Sequence, residues 1–110
     1  MKLHRNYLFT LLTLLGLSIL SSQAWAHYPT LDCQLENPNE QAQLVCIAGY
    51  SDGSVAFDEV VEVRGYDETL LHSLITDQDG VVRFSILLTP YYVLFDPGHE
   101  DPAEFDYAEL

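Results

Sequence analysis

The sequence predicts an all-β protein, a small antiparallel Greek-key sandwich of six or seven strands. Three observations predict it. Beyond residue 26 no stretch sustains the apolar period of an amphipathic helix. Short runs rich in Val, Ile, Leu and aromatic residues recur instead, several of them alternating apolar with polar side chains. Clusters of Asp, Asn, Gly, Pro and Ser separate these runs at close intervals, the spacing of a sandwich rather than a helical bundle.

The elements follow in order. Leu31 to Glu36 alternates, Asn37-Pro38-Asn39 turns, and Ala42 to Tyr50 returns as a second strand. Ser51-Asp52-Gly53-Ser54 is a turn, and Val60 to Tyr66 is a third strand with Val61 and Val63 opposite Glu62 and Arg64. Asp67-Glu68 closes it. Leu70 to Thr76 and Val81 to Leu87 flank Asp77-Gln78-Asp79-Gly80, whose Asp-Gly ending supplies the positive φ of a tight hairpin. After Pro90, Tyr91 to Phe95 is a buried strand, Pro97-Gly98 breaks it, and Ala103 to Ala108 adds a last one. Tyr50, Phe57, Phe84, Tyr92 and Phe95 are expected to pack in the core or at its edges.

Residues 1–26 carry the pattern of a removable export signal: Lys2 and Arg5, an apolar run from Leu8 to Leu20, and Ala24-Trp25-Ala26 as the cleavage site. The apolar run is about thirteen residues, short of the roughly 20 that span a bilayer, so no permanent membrane anchor is expected. Residues 27–110 then form a single domain with His27 at its N-terminus, periplasmic or secreted. Cys33 and Cys46 both fall in this part, and an exported context favours a disulfide between them. The competing Cys-Cys metal site has no neighbouring pair of histidines.

All 17 Asp and Glu residues follow residue 26, against Arg64 and Arg83 alone. This balance argues against nucleic acid and anionic lipid, which need basic patches, and fits cations or a basic partner protein. No nucleophile elbow or other catalytic signature is present, so no enzyme is expected. Asp52-Gly53-Ser54 and Asp77-Gln78-Asp79-Gly80 lack the spacing of an EF-hand calcium loop.

The stretch from Ala48 to Glu104 resembles an immunoglobulin-like sandwich of the transthyretin-like or carboxypeptidase-regulatory-like kind. The residues that carry the resemblance are Ala48-Gly49-Tyr50-Ser51-Asp52-Gly53-Ser54, Val61-Glu62-Val63, and Thr76, Asp77, Gly80 and Phe84. A narrower similarity is to exported accessory domains of nickel and cobalt uptake systems. It rests on His27 at the expected mature terminus, on Gly49-Tyr50-Ser51-Asp52-Gly53-Ser54, and on Asp96-Pro97-Gly98-His99 with Ala103-Glu104. The similarity implies metal binding and a metal-transport membrane component as partner.

An N-terminal histidine can close a chelate through its α-amine and an imidazole nitrogen. Were His99 to fold near His27, three nitrogens would converge, a set suited to Cu(II), Ni(II) or Co(II). Asp96, Glu100 or Asp101 would complete the coordination. Pro29 at the third mature position rules out the amino-terminal copper and nickel motif that deprotonates a backbone amide there. His72, between Leu71 and Ser73, reads as structural. A metal-free acidic module that docks a basic protein is the alternative.

Overall fold

Two antiparallel sheets face each other in the computed structural model, which describes residues 27–98 and 100–110. The expected signal segment and His99 lie outside the described residues. Strands β1 (Pro29–Glu36), β2 (Gln43–Tyr50) and β5 (Val81–Ser85) make the first sheet, in that order. The second is ordered β4 (Leu70–Ile75), β3 (Val60–Gly65), β6 (Tyr91–Phe95) and β7 (Ala103–Asp106). The chain ends in a 3₁₀ turn, Tyr107–Glu109.

The connectivity is a Greek key: β2 is the central strand of one sheet and β3–β6 the central pair of the other, and the chain changes sheets between β2 and β3, β4 and β5, and β5 and β6. Immunoglobulin constant domains place their fourth strand in the sheet of the first two. Here β4 pairs with β3 in the opposite sheet.

Alternation builds the core. Leu44, Cys46 and Ala48 of β2 and Val82 and Phe84 of β5 point inward from one sheet. Val61 and Val63 of β3 and Tyr91, Val93 and Phe95 of β6 meet them from the other. As expected from the sequence, Glu62 and Arg64 face outward, where they pair at 2.8 Å. Among the aromatic residues, Phe84 and Phe95 are core and Tyr50 packs against it, whereas Phe57 is exposed. Tyr91 rather than Tyr92 is the buried tyrosine of its strand, because the register Gly65↔Tyr91 turns the odd positions of β6 inward.

Cys33 and Cys46 are cross-strand partners in the β1–β2 hairpin and form the expected disulfide. Such bonds form and persist chiefly in oxidising environments outside the cytoplasm.

One expectation is corrected. Leu70 to Thr76 and Val81 to Leu87 do not form a hairpin: β4 lies at the edge of one sheet and β5 at the edge of the other. The turn between them forms as its residues require, with Gly80 at φ 78° and Asp77 Oδ1 accepting the N–H groups of Asp79 and Val81. It carries the chain across the sandwich because the Gly80 carbonyl accepts the Ala48 N–H at 2.8 Å, which seats β5 on the free edge of β2. Thr76 anchors the crossing: its buried hydroxyl accepts the Glu59 N–H at 2.9 Å, and its backbone bonds to Asp58 and Glu59.

Candidate functional site

The register brings three stretches singled out in the sequence to one pole of the sandwich. Pro29 pairs with Tyr50, so the start of β1 and the end of β2 leave the sheet side by side. Phe95 pairs with Ala103 at the base of the β6–β7 connection. The Tyr50 and Phe95 rings meet edge-on with centroids 5.8 Å apart, which joins the two sheets there. His27, the Ser51–Ser54 turn and the described residues around Pro97 therefore share this end.

Two bonds tie Tyr28, the neighbour of His27, to the turn. The Tyr28 N–H donates to Ser51 Oγ at 3.1 Å, and the Ser51 N–H donates to the Tyr28 carbonyl at 2.9 Å. His27 Nε2 then lies 3.6 Å from Asp52 Oδ2. The other carboxylate oxygen, Oδ1, accepts the Ser54 hydroxyl at 2.6 Å and the Ser54 N–H at 2.9 Å. These bonds, the hydroxyl first, hold the Asp52 carboxyl below the ordinary carboxylate range, so it is anionic at neutral pH. The His27 side chain keeps about 60% of its surface open to solvent.

Asp96 caps its own turn, Oδ1 accepting the Gly98 N–H at 3.1 Å, and Glu100 is exposed. Among the described residues no three His, Cys, Asp or Glu side chains group closely enough to hold a metal ion, and His27, Asp96 and Glu100 form no such cluster. His27 and Asp52 are the pair that the described residues bring together. His72 is half-buried on the inner face of β4 with its ring 5.7 Å from Phe84, a packing position.

A second feature was not anticipated from the sequence. On the outer face of the four-stranded sheet, Tyr66, Glu68, Tyr92, Glu104, Asp106 and Glu109 line an open concavity of about 440 Å³. Tyr66 donates its hydroxyl to Asp106 at 2.6 Å, and Tyr92 donates to Glu68 at 2.7 Å. Hydrogen bonding to the carboxylate pushes the Tyr66 hydroxyl up to about 12, and the same cause raises Tyr92. Arg64 reaches the rim but spends its guanidinium on Glu62 and on the Glu68 carbonyl. Alternation around Phe105 in β7 puts Glu104 and Asp106 on one face, and Tyr92 joins them only through its pairing with Asp106. That Tyr66, Glu68 and Glu109 would fold over it has no local signal, since they sit in turns beyond the strand ends.

The fold and this pole define a small, disulfide-linked β-sandwich of Greek-key connectivity. Compared with known proteins, the chain matches no family model, no curated protein and no solved structure. Among the described residues no helix is long and apolar enough to cross a membrane.

Proposed function

We propose that the chain is an exported, non-enzymatic β-sandwich that binds a divalent transition-metal ion at the His27 pole, as an accessory to nickel or cobalt uptake. The observation that carries this reading is the convergence at one end of His27, the Ser51–Ser54 turn and the strand end that leads into Asp96. Once the chain is processed after Ala26, His27 offers an α-amine and an imidazole beside Tyr28, whose backbone is bonded to the Ser51 turn. Nitrogen donors of this kind suit Ni(II), Co(II) and Cu(II). Asp96 and Glu100 are the further donors at this end, His99 is a donor that the sequence adds, and a membrane component of a metal transporter is the partner.

Calorimetric titration of the processed protein with NiCl₂, CoCl₂ and CuCl₂ tests the reading, beside a form that retains Ala26. Tight binding that the extra residue abolishes supports the terminal site. Absence of binding by both forms ends the proposal.

The carboxylate-lined concavity on the outer face favours a second reading, a metal-free module that docks a basic protein. Binding of a lysine-rich peptide would then weaken steeply from low to physiological salt, as long-range attraction between exposed charges does. Reversing Glu104 and Asp106 to Lys would abolish it. Binding indifferent to both changes would remove this reading.

A further inference from the structure

We infer that Asp52 is a positioning residue for His27, holding the imidazole through Nε2 so that Nδ1 and the terminal α-amine together face a divalent transition-metal ion. The inference rests on the metal reading of His27 given above.

Chelate geometry decides which ring nitrogen binds. Three carbons separate the α-amine from Nδ1, so the two nitrogens close a six-membered ring around an ion, whereas Nε2 points too far away to share it. Nε2 is left for a neighbour, and Asp52 Oδ2 stands 3.6 Å from it. That distance exceeds a direct hydrogen bond, and the exposed imidazole stands beside the carboxylate without being bonded to it.

The carboxylate is itself held in place. The two bonds from Ser54 occupy Oδ1 and leave Oδ2 turned toward His27. The turn cannot drift from β2, since the Tyr50 N–H donates to the Ser54 carbonyl at 2.9 Å. A Cβ on Gly49 would stand only 2.8 Å from that same oxygen. Metal-bound histidines commonly donate their second ring N–H to a carboxylate, which sets the tautomer and strengthens the ligand. Ser54 holds Asp52, Asp52 faces His27, and the reciprocal bonds of Tyr28 and Ser51 fix the backbone between them.

The test uses protein produced with its own leader, its N-terminus at His27 verified by mass spectrometry, and titrated with CuCl₂ and NiCl₂. Asp52→Asn is expected to weaken both affinities by about 10- to 100-fold, the usual effect of removing an outer carboxylate. Ser54→Ala is expected to fall between that variant and the parent, and Asp52→Glu to recover part of the loss. The electron paramagnetic resonance spectrum of the Cu(II) form is expected to keep its nitrogen hyperfine pattern in Asp52→Asn, because Asp52 does not touch the metal. Equal affinities for Asp52→Asn and the parent would overturn the inference while leaving the metal reading intact. A changed coordination spectrum would overturn it by making Asp52 a ligand. No binding by the parent would end both.

Discussion

Tyr50 and Phe95 meet edge-on, 5.8 Å between ring centroids, where the last residue of β2 crosses the last residue of β6. The contact closes the core at the end where His27 is held. Phe95 is fully buried and Tyr50 only partly so. Phe95→Ala is therefore expected to cost about 3–5 kcal/mol, the range for emptying an aromatic position in a core. Tyr50→Ala should cost less than Phe95→Ala, and urea denaturation compares the two.

The Cys33–Cys46 bond links adjacent strands at a sequence separation of 13 residues. A closed loop of this length restricts the unfolded chain enough to stabilise the fold by about 3 kcal/mol. Cys46 is wholly buried, so replacement by Ser would add the cost of a buried hydroxyl. Reduction with the sequence unchanged is the cleaner comparison. Thermal melts with and without a thiol reductant are expected to show the reduced form melting lower.

Two glycines with positive φ answer differently to Ala. Gly53, at φ 91°, has open space where a Cβ would stand, so Gly53→Ala should cost only the conformational strain, about 1–2 kcal/mol. Gly80, at φ 78°, would drive its Cβ into the Ala48 carbonyl. The same residue accepts the Ala48 N–H, so relief would have to break the bond that seats β5 on β2. Gly80→Ala is expected to be the more damaging by chemical denaturation, and equal losses would contradict this account of the crossing.

Gly80 also marks where sequence reading stops. Asp77 and Gly80 specify a turn through bonds that close within a few residues, and that turn is present. Which sheet receives the next strand depends on Ala48, 32 positions earlier, whose N–H awaits the Gly80 carbonyl. The inward positions Val61 and Val63 were legible because a strand repeats every two residues, a property carried locally. Tyr91 was not, because the five-residue run from Tyr91 to Phe95 is apolar on both faces and only pairing with Gly65 chooses between them. At the candidate site the sequence singled out His27 as a candidate N-terminal chelator. Its neighbour Asp52 was not legible as such, since the two meet only once β1 and β2 have paired.

Tyr66 and Asp106 form an exposed pair whose pH dependence has two opposite limbs. The Tyr66 hydroxyl donates to Asp106 Oδ1, and that hydrogen bond first, with the carboxylate's charge as a lesser cause, pushes Tyr66 up to about 12. A raised tyrosine contributes stability in full below its unfolded value near 10 and loses it as pH rises through about 12. Asp106 behaves in reverse. The Tyr66 hydroxyl and the Ala108 N–H favour its charged form, so its contribution is present above the ordinary aspartate value and fades as pH falls through the depressed one. Tyr66→Phe should therefore flatten the stability profile between about pH 10 and 12. It should soften the acid limb only in part, because Ala108 still donates to Asp106. Ultraviolet titration of tyrosinate reads the pair directly: the parent should show a late-titrating tyrosine near 12 that Tyr66→Phe lacks. If that late step persists in the variant, the Tyr66–Asp106 bond is not its source.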